Sequence, residues 1–162
     1  MSGFSINLAT LPAGRSRLEV ESTAGGVGLA DAEWPGEIRA DLSLDRAGEQ
    51  ITVRGLLRAQ TRQECVRCLK VYDHAIETEL VVYADRSGSS RHVAEEGDLE
   101  REDLMKFHDG RSLDVGPEVR EALLLEVPMS PRCREDCRGL CATCGADLNE
   151  GPCGCESTRS AG

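Results

Sequence analysis

The placement of eight cysteines constrains this chain more than any other feature. Six of them fall in Cys133-Arg-Glu-Asp-Cys137-Arg-Gly-Leu-Cys141-Ala-Thr-Cys144-Gly145 and the closing Cys153-Gly-Cys155, and the other two form Cys65-Val-Arg-Cys68. Tetrahedral zinc takes thiolates four at a time, and a short Cys-x-x-Cys loop presents two of them to one ion. Eight thiols in these groups have the arithmetic of two structural Zn2+ sites. Ser130-Pro131 reads as a cap followed by one helical turn stopped at Gly139, a spacing that would put Cys133 and Cys137 on one face. Cys141 then opens a separate knuckle. The economical partition is Cys65, Cys68, Cys133 and Cys137 on one ion, with Cys141, Cys144, Cys153 and Cys155 on the other.

Four thiolates leave no open position for water or substrate, which disfavours a hydrolytic zinc enzyme. A redox Cys65-Val-Arg-Cys68 would want a helix N-terminus in a βαβ setting, and its flanks are strand-like. His74, His92 and His108 are scattered and are expected at the surface. No Ser/His/Asp arrangement, nucleophile elbow or paired catalytic carboxylate is recognisable, so the chain is read as no enzyme, with no catalytic residue and no small-molecule substrate.

A chain of 162 residues can build one domain with a core and a small appendage. No run approaches the ~20 apolar residues of a membrane span, and the N-terminus has no basic, then apolar, leader pattern. The expectation is a cytoplasmic protein without membrane contact. In a reducing compartment a cysteine cluster binds metal rather than forming disulfides.

Period-two alternation marks the strands. Leu18 and Val20 point inward from residues 17–21. Ile38, Ala40, Leu42 and Leu44 do so from a second strand, and Ile51, Val53, Gly55 and Leu57 from a third, with a turn near Gly48 making these two a hairpin. Residues 74–84 alternate again, with Ile76, Thr78, Leu80 and Val82 on one side, so the first cysteine pair falls between two antiparallel strands. Gly25 to Gly28 reads as a flexible connector. Asp114 as cap, Pro117 in the first turn and apolar Val115, Val119, Ala122 and Leu123 predict a helix ending before Pro128. These patterns predict an α+β protein. Residues 1–127 form a mainly antiparallel β-sheet or partial barrel with a mobile acidic loop at 85–103 and a helix at about 115–127. Residues 128–155 form a cysteine-rich zinc-knuckle segment, and 156–162 a disordered tail.

The net charge of −10 argues against indiscriminate nucleic-acid binding. The charge is uneven, however. Glu95, Glu96, Asp98, Glu100, Glu102 and Asp103 stand against Arg101 alone, whereas Arg54, Arg58, Arg62, Arg67 and Lys70 stand against Glu64. The proposed partition brings Arg132, Arg134 and Arg138 to the first zinc. These eight cations are the candidate binding surface, although some of their charge would neutralise sulfur.

The stretch Glu64-Cys65-Val-Arg-Cys68-Leu69, the helix Val119-Arg-Glu-Ala-Leu-Leu-Leu-Glu-Val-Pro128 and the run from Cys133 through Cys144-Gly-Ala-Asp-Leu148-Asn149 together resemble the bacterial YceD family, which has chloroplast relatives. The resemblance spans roughly residues 50–155. It implies a ribosome-biogenesis factor that supports accumulation or processing of large-subunit (23S) rRNA, with that rRNA or a ribosomal protein as partner. The alternative is a zinc-stapled protein-interaction module without RNA contact.

Overall fold

The computed structural model describes residues 3–86 and 105–155. The expected acidic loop and C-terminal tail lie outside the described residues, except for Asp85 and Arg86, which end a strand. Seven strands are formed among the described residues: β1 (Ser5–Asn7), β2 (Gly14–Thr23), β3 (Glu37–Ala47), β4 (Gln50–Glu64), β5 (Val71–Arg86), β6 (Met105–His108) and β7 (Ser112–Asp114). One α-helix, α1 (Gly116–Leu125), follows among the described residues. The chain divides into two compact units, one of Met1–Thr61 with Ala75–Val127 and one of Arg62–His74 with Pro128–Gly162. Residues 62–74, which a boundary at 127 leaves with the β-rich part, thus group with the cysteine-rich segment.

In the first unit the alternation read from sequence becomes side chains pointing to opposite faces of the sheet. Ile38, Ala40, Leu42 and Leu44 are buried on β3, while the residues between them are exposed. Antiparallel β3 and β4 pair from Ala47↔Gln50 to Arg39↔Arg58, and Gly48 turns the hairpin at φ 65°. Gly55 faces Leu42 across this pair, and a Cβ there would lie 2.5 Å from the Asp41 carbonyl oxygen. Only glycine permits that approach.

The strand order β2-β3-β4-β5-β6 describes a sheet that is not closed into a barrel. The edge strand β6 runs parallel to β5, Tyr83 opposite Met105 and Arg86 opposite His108. Strand β1 pairs separately with β7.

Helix α1 begins where the Asp114 carboxylate accepts the Gly116 N–H at 2.9 Å. Val115, Val119 and Leu123 recur every four residues along one helical face, and all are fully buried. They join Phe4, Trp34, Leu44 and Leu57 in one aliphatic-rich core. Two sequence expectations change here. Gly25 and Gly26 lie in a 3-10 turn, Ala24–Val27, that buries Ala24 and Val27. His108 is buried rather than at the surface, because both ring nitrogens find backbone partners. Its Nδ1 accepts the Gly110 N–H at 3.0 Å, so Nε2 carries the proton and donates to the Glu49 carbonyl at 2.8 Å.

Candidate metal centres

The second unit has almost no aliphatic interior. Its buried cluster is Cys65, Cys68 and Cys137, with Tyr72, Cys133 and Leu140 packed against them. The sulfurs gather as Cys65, Cys68, Cys133 and Cys137 and, separately, Cys141, Cys144, Cys153 and Cys155, each set lying within 4.8 Å. This is the division expected from the spacing. Cys65 Sγ lies 3.7 Å from Cys137 Sγ, and Cys68 Sγ 3.7 Å from Cys133 Sγ. A disulfide needs about 2.05 Å. Sulfurs held about 2.3 Å from a tetrahedral zinc stand roughly 3.8 Å apart, so the first set matches a metal tetrahedron and not two bridges.

The same backbone turn builds the start of both sets. The Cys65 N–H donates to the Lys70 carbonyl and the Leu69 N–H to the Cys65 carbonyl, both at 2.9 Å. Likewise the Cys141 N–H donates to the Ala146 carbonyl at 2.8 Å and the Gly145 N–H to the Cys141 carbonyl at 2.9 Å. In each case the residue after Cys-x-x-Cys turns left-handed, Leu69 at φ 60° and Gly145 at φ 73°. The turn aims backbone N–H groups at sulfur, as from Thr143 N to Cys141 Sγ at 3.4 Å.

These donors separate the thiols. The Cys68 N–H pulls Cys65 down to about 6 against its burial, helped by the backbones of Cys133 and Arg67. The Cys144 and Thr143 N–H groups pull Cys141 to about 6. Burial, followed by the neighbouring sulfurs of Cys68, Cys137 and Cys65, pushes Cys133 up to about 12. The Cys144 side chain and then burial push Cys155 up to about 12. Cys137 is lowered as well, chiefly by the Asn149 side chain, while Cys68 and Cys153 are raised, so each set mixes sulfurs ready to ionise with sulfurs held back. A divalent cation at the centre removes that opposition.

No helix forms between Ser130 and Gly139, and the expected helical turn is reduced to one hydrogen-bonded turn in which the Cys137 N–H donates to the Arg134 carbonyl at 3.3 Å. Instead the segment lies along the first knuckle through backbone bonds from Val66 N to Pro131 O (2.9 Å) and from Leu140 N to Arg67 O (3.2 Å). Interstrand-like bonds of this kind compete with a helix too short to sustain itself. Gly139, at φ 75°, passes so close that a Cβ would stand 3.1 Å from the Arg67 carbonyl oxygen.

Leu69 is the only non-glycine residue with positive φ among the described residues, and it is 56% exposed. Left-handed backbone costs an ordinary residue roughly 1–2 kcal/mol, part of which glycine returns through its freer unfolded chain. Leu69→Gly is therefore expected to raise the unfolding free energy of the metal-loaded protein by up to about 1 kcal/mol, read as a higher denaturation midpoint. A lower midpoint would show that the leucine side chain packs usefully. With Val66 and Val71 it forms an exposed apolar group on this knuckle.

The candidate cations divide by their partners. Arg58 on β4 bridges Asp41 and Glu77, both at 2.9 Å. Arg62 pairs with Asp73 at 3.3 Å and Arg134 with Asp136 at 3.3 Å. Arg67 Nη1 donates to the Cys137 carbonyl at 2.9 Å, a structural use. Arg54, Lys70, Arg132 and Arg138 are exposed. Sequence reasoning gave Asn149 no role, yet its amide donates to Cys137 Sγ at 3.4 Å. No ligand-spacing rule points to an asparagine twelve residues beyond the sulfur it serves.

A family model described as "Large ribosomal RNA subunit accumulation protein YceD" matches residues 53–161, a span containing all eight cysteines. An uncharacterized protein of Mycobacterium leprae is 34% identical over 124 residues, 76% of this chain and 54% of that protein. A second uncharacterized protein, from Mycobacterium tuberculosis, is 33% identical over 115 residues, 69% of this chain and 52% of its own length. The chain thus spans about half the length of these curated relatives. The "Large ribosomal RNA subunit accumulation protein YCED homolog 1, chloroplastic" of Zea mays is 34% identical over 68 residues, 40% of this chain and 23% of that protein. No solved structure matches. No described helix is long and apolar enough to cross a membrane.

Proposed function

Because the chain belongs to the YceD family, we propose that it is a non-enzymatic ribosome-biogenesis factor, acting in the cytoplasm, that supports large-subunit rRNA accumulation by binding rRNA. The family match over residues 53–161 carries this reading. Two Zn2+ ions, one in each cysteine set, serve structure and not catalysis. Cys65, Cys68, Cys133 and Cys137 would hold one, and Cys141, Cys144, Cys153 and Cys155 the other. Each ion supplies cross-linking, and four sulfurs leave it no site for substrate.

The RNA-facing cations are chosen by elimination. Arg58, Arg62 and Arg134 already face carboxylates, and Arg67 holds a carbonyl. Lys70, Arg132 and Arg138 remain exposed in the second unit. Their replacement by glutamine together is expected to weaken binding to a large-subunit rRNA fragment. It should also flatten the slope of log affinity against log salt by about 2, since each single-strand phosphate contact contributes roughly 0.7. Metal content should not change. Unaltered affinity and slope would favour a second reading, in which this acidic chain binds a basic ribosomal protein without touching RNA. The carboxylate partners of Arg58 and Arg62, together with the net charge of −10, are the observations on its side.

A further inference from the structure

We propose that Asn149 couples the two cysteine sets, so that filling the second strengthens metal binding at the first. The inference rests on the reading that both sets hold metal. Asn149 lies between Cys144 and Cys153, in the loop whose two ends the second set fastens. Its side chain nevertheless serves the first set, donating from Nδ2 to Cys137 Sγ at 3.4 Å.

Every hydrogen-bonding position of that amide is used. Nδ2 also donates to Asp147 Oδ1 at 2.8 Å, while Oδ1 accepts from Arg134 Nη2 at 2.8 Å and from the Arg138 N–H at 2.9 Å. A side-chain amide offers two donors and two acceptor positions, so its orientation is over-determined and no flip would satisfy the same partners. The loop beneath it is fixed as well. Leu140 bridges to Asp147, the Leu148 N–H donates to the Gly139 carbonyl at 2.9 Å, and the Asn149 N–H donates to Asp147 Oδ1 at 2.9 Å.

Zinc with four thiolates has a formal charge of −2, and an N–H aimed at sulfur offsets part of it. Groups that bond to metal ligands in this way typically govern affinity by 10- to 100-fold. When the second set is empty, both ends of the loop are released, and the hydrogen bonds alone, without a cross-link, are left to hold the donor against Cys137. Coupling of this kind is reciprocal, so metal at the first set tightens the second by the same factor.

The test uses the full chain and Zn2+ alone, with a competing chelator reporting affinity. Wild type must first show two ions per chain; fewer would defeat the metal reading itself, separately from the coupling. Asn149→Asp keeps the oxygen that Arg134 and Arg138 use but loses the donor to sulfur. It should retain two ions, one of them held 10- to 100-fold more weakly. Asn149→Ala, which adds no charge, should give the same result if repulsion is not the cause.

A protein with Cys141→Ser and Cys144→Ser should hold its one remaining ion with a comparable loss, and adding Asn149→Ala to it should cost little more. The proposal is overturned if that remaining ion binds as tightly as in wild type. It is equally overturned if the asparagine change costs as much with the second set destroyed as with it intact. Emission from Trp34, which is 3% exposed, checks that the first unit of each variant is folded, and protection of the Val66 amide, bonded to the Pro131 carbonyl, checks the knuckle of the first set.

Discussion

Removing metal from the purified chain with a strong chelator is expected to dissolve the ordered structure of the second unit while leaving the first folded. Among the described residues, the buried hydrophobic cluster of the second unit is made of cysteines, with Tyr72 and Leu140 packed beside them. Structural zinc contributes roughly 10–16 kcal/mol in small peptides, far beyond what two apolar side chains supply. The first unit instead has a continuous core around Phe4, Trp34, Ile38, Leu57 and Leu123. Elemental analysis should find two ions per chain before treatment. After it, amide exchange at Val66, Leu140 and Cys141, whose N–H groups are bonded in the folded form, should become unprotected. Trp34 emission should stay in place. Ligand thiols must be deprotonated to bind, so acid should release the metal in the same way. A purified chain with no metal and four disulfides would defeat the expectation, as would loss of the Trp34 signal together with the metal.

Leu123→Ala should do the reverse. Leu123 is fully buried on α1, and truncating such a leucine removes apolar contacts and leaves a partly uncollapsed cavity, at a cost of about 2–5 kcal/mol. The denaturant midpoint followed by Trp34 should fall accordingly, with metal content unchanged. Leu125, 77% exposed near the end of the same helix, is the matched control, and its alanine variant should lie within about 0.5 kcal/mol of wild type. Equal effects of the two substitutions would refute the assigned helical face.

The strands and the cysteine sets were legible because both are written in short-range spacing. The period-two runs of β3, β4 and β5 need only neighbours in sequence, and a Cys-x-x-Cys pair closes on itself. What escaped depends on distant partners. The carboxylates that face Arg58 come from two other strands, and Arg62 finds Asp73, so two cations of that row are paired in space in a way their sequence neighbours do not reveal. The helical turn expected after Ser130 shrank to the single Arg134–Cys137 turn, its flanks taken up by backbone bonds with Val66 and Arg67. Leu69 adopts the backbone that Gly145 takes in the other knuckle, although its side chain gives no sign of it. Parallel pairing of β6 could not be foreseen from four residues.

The two sets also differ in when they can be completed. The second is confined to residues 141–155, whereas Cys68 and Cys133 are 65 positions apart and Cys65 and Cys137 72 apart. At a synthesis rate of about 5–20 residues per second, the first knuckle waits roughly 3 to 13 seconds for Cys133. During that wait it is a two-thiol half-site, and thiolates in the open are the reactive, oxidisable form. The set that closes over the longest stretch of chain is therefore the one whose thiols wait longest without partners, while its counterpart draws all four from one short segment.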